Sequence, residues 1–294
     1  MQKLFVALLV LSAAQFSGRA ATTINAANRF AYGANIGWMD WRGDVANGAV
    51  IGEYICTGFI YAANVGWINL GSGTPANGIR YQNNSAIDFG VNHDGIGNLH
   101  GYAWGANVGW LTFTNRDGFG GTYNGPQIDL ITGRMSGFIW SANCGWISLS
   151  NAFAFVQTDL IRTGIDTDSD GIPDAWERDK FGSLAIANAT SDKDGDGFSD
   201  LSEYLADTNP NDAGSFLSIT SYIVSPIALS TLTWSSQPSR QYRVFERLLV
   251  DTGVWTEFGL GLIPPDAGAT TTRTFTDAAS PQRFFRVQAV KPLQ

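Results

Sequence analysis

Asp166, Asp168, Asp170, Gly171, Asp174 and Glu177 stand in an order that recurs, 26 residues on, as Asp192, Asp194, Asp196, Gly197, Asp200 and Glu203. Both runs satisfy D-x-D-x-D-G-x5-E, a spacing that folds alternate carboxylates around one hard divalent cation. Carboxylates at positions 1, 3 and 5 converge only if the backbone turns sharply, and Gly at position 6 permits the turn. Position 7 (Ile172 or Phe198) offers its carbonyl. Position 9 (Asp174 or Asp200) binds directly or through water, and the closing Glu can bind through both oxygens. An all-oxygen, strongly anionic ligand set of this kind selects calcium.

The charge inventory concentrates on these loops. Residues 166–212 hold 13 of the 26 carboxylates, against only Arg178, Lys180 and Lys193. Elsewhere acids and bases nearly balance, so the net charge of -8 is a local device. Crowded carboxylates repel one another, and the segment is expected to be ordered by metal and loose without it. Nucleic acid is excluded as a partner, because its phosphates demand clustered Lys and Arg. Asp207, Asn209 and Asp212 add oxygen-bearing side chains beyond the second loop, either as further ligands or as a plain turn.

Only 14 residues, Arg178 to Ser191, separate the loops, too few for an exiting helix, a linker and an entering helix. The stretch Phe153–Gly164 reads as the end of a β element. Each loop is therefore expected to run into one short helix. The first spans Ala175–Phe181 and ends at Gly182; the second spans Leu201–Ala206 and is ended by Asn209-Pro210.

The elements that must carry this segment begin with a fourfold repeat over residues 21–157: FAYGANIGWMDW, FIYAANVGWINL, YAWGANVGWLTF and FIWSANCGWISL. Trp38, Trp67, Trp110 and Trp146 anchor the copies, at spacings of 29, 43 and 36 residues. Aromatics at alternate positions before each Ala-Asn-x-Gly give the period of a strand, and Asn and Gly supply turn chemistry, so each copy reads as a β-hairpin. Beyond the turn, Trp shares one face with Asp40, Asn69, Thr112 or Ser148. The other face takes Met39/Trp41, Ile68/Leu70, Leu111/Phe113 and Ile147/Leu149. Strand-like runs at Ile87–Val91 and Ile128–Leu130 precede the last two copies, and a circular arrangement of the four units is one open option. The four Trp could form an aromatic face for stacking sugar rings. Their recurrence in every copy fits packing between units better, with each Asn bonding its own turn. His93 and His100 read as loop residues.

Residues 1–20 read as a secretory signal peptide: Lys3, the apolar run Leu4–Phe16, then Gly18 and Ala20 at a cleavage site. No other stretch is long and apolar enough to span a membrane, so the mature chain is expected to lack a transmembrane segment and to be secreted or held at the cell surface. Cys56 and Cys144 could pair in that compartment, but spacing does not decide it. From 214 to 294 six alternating runs (Phe216–Val224, Ala228–Trp234, Gln241–Glu246, Val254–Phe258, Thr270–Phe275 and Arg283–Val290) indicate a small β-sandwich of immunoglobulin or fibronectin character. The expected fold is thus mainly β: a repeated-hairpin domain (21–157), a calcium-binding loop-helix segment (158–213) and a terminal sandwich (214–294).

DTDSDGIPDAWE and DKDGDGFSDLSEYLADTNPND resemble thrombospondin type 3 repeats of secreted bacterial proteins, and the ANxGW hairpins resemble a tandem unit of the same class. The resemblance implies calcium held for structural stiffening; the closing Glu177 and Glu203 instead follow the EF-hand pattern, which leaves the local fold open. No G-x-S-x-G, H-E-x-x-H or phosphate-loop pattern occurs, and no spacing singles out a pair among Asp40, Asp44, Glu53, Asp88 and Asp94. The expected function is a non-enzymatic, calcium-binding structural or adhesive protein whose partner is an extracellular glycan or surface protein. The alternative is a carbohydrate-binding module using the Trp face.

Overall fold

The computed structural model describes residues 21–114, 125–224, 229–248, 253–276 and 283–294; the signal-peptide reading of 1–20 lies outside the described residues. Among the described residues the chain is mainly β with two short helices. The four repeats form four antiparallel hairpins: Ile24–Gly33 with Gly37–Asp40, Phe59–Ala62 with Gly66–Asn69, Leu99–Gly105 with Gly109–Thr112, and Phe138–Ser141 with Gly145–Ser148. Consecutive hairpins pair with each other, and the last closes on the first through Tyr32↔Ser148 and Gly33↔Ile147. The wall is an eight-stranded antiparallel barrel, and closure removes the open edges that hairpins leave.

Each turn passes through three residues, Ala-Asn-x, into a left-handed glycine: φ is 78° at Gly37, 82° at Gly66, 74° at Gly109 and 75° at Gly145. A side chain is disfavoured there, and the geometry suits a three-residue hairpin loop closed by a bulge. The Asn residues do not enter that region, and they do not bond their own turns. Asn64 Nδ2 donates to Ile36 O at 3.1 Å, Asn107 to Val65 O at 3.0 Å, Asn143 to Val108 O at 2.9 Å and Asn35 to Cys144 O at 3.2 Å. Each repeat thereby grips the turn of the one before it, and the first grips the last.

Side chains fill the barrel. Ala31, Ile60, Ala103 and Ile139 face inward with Met39, Ile68, Leu111 and Ile147, all buried. Ile36, Val65, Val108 and Cys144 pack into this core from the turns, and Trp41, Leu70, Phe113 and Leu149 pack at the opposite strand ends. Space is tight enough that a methyl at Gly33 would lie 2.9 Å from Ile36 Cγ1, and one at Gly105 2.8 Å from Val108 Cγ2. Both cysteines are buried free thiols, and burial pushes Cys56 up to about 12.

His93 and His100 are not loop residues: they lie on the paired strands Val91–His93 and Leu99–Gly105. His93 is buried, with Nδ1 3.0 Å from Gly52 O, while Gly97 N donates to its Nε2 at 3.2 Å. The strand expected at Ile87–Val91 is displaced to Val91–His93, leaving Ile87 92% exposed. The short strand Gln127–Ile128 stands close to its expected place. Val156–Thr158 pairs with Ile24–Gly33, so a β element does precede the first Asp loop.

Two short helices follow the loops, α1 (Asp174–Phe181) and α2 (Asp200–Ala206). Gly182 ends α1 in the left-handed conformation. α2 ends at Ala206 as expected, with Asp207 taking a left-handed φ of 58° as its cap ahead of Asn209-Pro210. All six C-terminal runs are strands, in two three-stranded sheets. Ile219–Val224, Leu229–Ser235 and Thr270–Thr276 form one; Thr256–Glu257, Gln241–Arg247 and Phe284–Val290 form the other. Leu232, Trp234, Tyr242, Val244, Ile263 and Phe275 make a second core.

The parts meet around Tyr204 of α2. Its hydroxyl donates to Glu53 Oε2 of the barrel region at 2.9 Å, and Lys291 Nζ from the chain's last residues contacts both groups. Arg240 Nη2 and Nε donate to Tyr204 O and Leu205 O, each at 2.7 Å. Burial, then the Glu53 carboxylate, pushes the Tyr204 phenol far above its usual range; burial lowers Lys291.

Candidate metal centre and aromatic belt

The left-handed glycines Gly171 (φ 96°) and Gly197 (φ 95°) turn the two Asp runs back on themselves. In each loop the first carboxylate fastens the turn. Asp166 accepts from Ser169 N at 2.7 Å and Gly171 N at 2.9 Å; Asp192 accepts from Gly195 N at 2.8 Å and Gly197 N at 2.9 Å. The fifth does the same for the seventh position, Asp170 accepting from Ile172 N and Asp196 from Phe198 N. One oxygen from each of Asp166, Asp168 and Asp170 lies within 4.8 Å of the others, and the same holds for Asp192, Asp194 and Asp196.

What remains in these loops fits a cation. Asp170 Oδ2 and Glu177 Oε1 in the first, and Asp194 Oδ2, Asp196 Oδ2 and Glu203 Oε2 in the second, are buried with no hydrogen-bond partner. Buried carboxylate oxygens left this way are costly unless a positive charge meets them. Glu177 and Glu203 are each only 1% exposed. Burial first, then the neighbouring aspartates, pushes both carboxyls up to about 7. Glu203 Oε1 accepts from Thr208 Oγ1 at 3.3 Å, which leaves Oε2 for the loop.

Position 9 carries hydrogen bonds within each loop. Asp174 accepts from Thr167 N and Thr167 Oγ1, both at 2.8 Å, and from Arg178 at 3.3 Å. Asp200 accepts from Lys193 N at 3.2 Å and Ser191 Oγ at 2.5 Å. Each also donates its own N–H to the residue preceding its loop, Ile165 or Ser191. These carboxylates brace the loop entry and stand outside the Asp triads. Burial opposes ionisation of Asp174, but its Thr167 and Arg178 contacts hold it below the usual range. At position 7, Ile172 is buried with Trp176, Ala187 and Tyr204, while Phe198 stacks on Phe216 at 5.4 Å. Of the extra oxygen cluster, Asp207 bonds Ser239, Asn209 accepts from Asn211 N and Asp212 from Gly214 N, so these residues shape the helix stop and the turns after it.

The four anchor tryptophans do not pack between units. Trp38, Trp67, Trp110 and Trp146 project from the outer wall, 47%, 45%, 44% and 48% exposed. Each stands opposite an aromatic of its own hairpin: Tyr32↔Trp38, Tyr61↔Trp67, Trp104↔Trp110 and Trp140↔Trp146. Ring centroids are 5.0, 4.9 and 4.7 Å apart in the first three pairs, with tilts of 56–61°. On its other side each pairing aromatic faces a polar residue of the neighbouring repeat, as Asp40↔Tyr61, Asn69↔Trp104, Thr112↔Trp140 and Ser148↔Tyr32. The belt therefore runs round the whole barrel with the same order four times.

Sequence reading missed the Asn ring and the Glu53–Tyr204–Lys291 cluster. The even spacing of Asn before each Trp was a usable signal for the ring. The cluster joins positions 151 and 87 residues apart, for which no local pattern exists. No family model, curated protein or solved structure matches the chain.

Proposed function

We propose that this is a secreted, calcium-binding structural or adhesive protein in which two calcium ions stiffen the junction between two β domains. The observation that carries the reading is the set of five buried, unpartnered carboxylate oxygens in two loops of matching geometry. Asp166, Asp168, Asp170 and Glu177 would hold one ion; Asp192, Asp194, Asp196 and Glu203 would hold the other, with the carbonyls of Ile172 and Phe198 completing each shell. Calcium would supply the positive charge that lets these carboxylates stay ionised together, so its binding energy becomes folding energy. The thrombospondin-like spacing agrees with that role. The two C-terminal sheets read as an immunoglobulin- or fibronectin-like sandwich, joined to α2 through Arg240 and Lys291.

Calcium titration of residues 21–294 by calorimetry, with melts in calcium and in chelator, tests the proposal. Two sites and a higher melting temperature in calcium are expected. A flat titration with identical melts would reduce the segment to an acidic linker.

A further inference from the structure

We infer that the outer wall of the barrel is a polysaccharide-binding surface: four equivalent aromatic rows, each taking a short stretch of a neutral, β-linked glycan. The reading is independent of calcium.

Exposed rings at the same place in four paired hairpins make a belt rimmed by polar residues, the arrangement that marks an interaction surface. Between 44% and 48% of each anchor Trp and about 40% of Tyr32, Tyr61, Tyr102 and Trp104 meet solvent. In the first three rows the Trp and its opposite ring leave roughly 200 Å² open, since a ring side chain presents ~150–250 Å², while in the fourth Trp146 is exposed and Trp140 half-buried. A protein partner needs about 800 Å² on one face. The rows point outward from different sides of a barrel, so a flat partner reaches one or two of them. A chain of small rings does not meet that limit.

The chemistry of the rows selects among small-ring polymers. The flanking polar positions are Asp40, Asn69, Thr112 and Ser148. Asp40 is the single charge among them, and Arg29 lies 3.5 Å from it. A charged polymer therefore finds no complement. All four also close the strand exit, through Arg42 N, Gly71 N, Thr114 N and Ser150 O, so they hold the row in place more than they read a ligand. Recognition falls to the rings, which offer apolar faces with hydroxyl or indole N–H groups at the rim. A β-linked hexose has the matching form, with C–H groups on its faces and hydroxyls around its edge. Each row crosses adjacent strands about 4.8 Å apart, a width suited to a few sugar units. Four similar weak sites gain through a repeating ligand what one site lacks.

Cellohexaose, laminarihexaose and chitohexaose, titrated separately into residues 21–294 with tryptophan fluorescence and calorimetry, test the inference. At least one should bind with a per-row Kd of about 0.1–1 mM and shift the emission. Trp67→Ala should remove one quarter of the capacity, and Trp67→Ala with Trp146→Ala one half. The doubly substituted protein should keep the parent circular dichroism, because both rings lie outside the core; if it does not, Trp67→Ala alone carries the comparison. Failure of all three sugars to bind, or unchanged capacity in the substituted proteins, overturns the inference, as does emission change traced by sedimentation to self-association. Repeating the titration in chelator separates the two readings: sugar binding should persist whether or not the loops bind calcium.

Discussion

Glu177 and Glu203 occupy the same place in two loops, buried beside three aspartates and pushed up to about 7 by burial and by those neighbours. If these carboxylates hold calcium as proposed, neutralising one removes a ligand without changing shape. Glu203→Gln is expected to weaken calcium at the second loop by at least about tenfold, seen as loss of one site in calorimetry while the first persists. Asp200→Asn should act differently. Its carboxylate braces Lys193 N and Ser191 Oγ, so the loss falls on loop order and melting temperature more than on site number. The D-x-D-x-D-G spacing was legible because its geometry is local to six residues. The hydrogen bonds of position 9 were not, since only the folded loop brings the N–H of position 2 to that carboxylate. His93 supplies a pH test with a definite sign. Its neutral ring donates to Gly52 O and accepts from Gly97 N, and a second ring proton would face that N–H. Burial lowers its folded pKa below the ordinary 6.5. The stability it contributes is present above about 6.5 and is lost as pH falls toward the folded value, up to about 2 kcal/mol by pH 5. Urea unfolding at pH 7.5 and 5 should show this loss, and His93→Gln should flatten the difference.

Hairpins are decided by their turns, and the ANxGW turn has two separable parts. Gly66→Ala forces a side chain into φ 82° and should cost about 1–2 kcal/mol. Asn64→Ala leaves the turn intact but removes the bond to Ile36 O, costing about 0.5–1.5 kcal/mol. Equilibrium urea unfolding measures both. Equal effects from Asn35, Asn64, Asn107 and Asn143 would confirm the ring. The hairpins themselves were readable from alternation and from Ala-Asn-x-Gly. Which face turns inward was not, because both faces are apolar: Met39 and Trp41 on one, Trp38 on the other. Volume decides it. Eight strands enclose room for Ala, Ile, Leu and Met, so the wall tryptophans go out and Trp41 packs at the barrel end.

At the scale of the whole chain, Glu53, Tyr204 and Lys291 tie barrel, loop-helix segment and terminal sheets into one buried polar contact. Lys291→Met leaves Glu53 facing a phenol with no cation, and should destabilise by about 3–5 kcal/mol. Adding Glu53→Gln should recover much of that loss in a double-mutant cycle. Tyr204 follows Glu203 directly, so loss of calcium from the second loop is expected to loosen this contact as well, seen as separation of one thermal transition into two in chelator. None of this was visible in sequence, because the three residues share no periodicity and come from distant parts of the chain.

The fourfold wall has a further property, which concerns time. An open array of repeats can stand as soon as a few units exist and needs special end units to shield its last faces. This wall has no end unit, because Asn35 reaches Cys144 and Tyr32 pairs with Ser148. A chain emerging from its N-terminus therefore carries its first hairpin with one flank bare until more than a hundred further residues have followed. Closure is a late event, and a nascent chain halted before residue 145 lacks both Gly145–Ser148 and Val156–Thr158, two of the three strands its first strand pairs with.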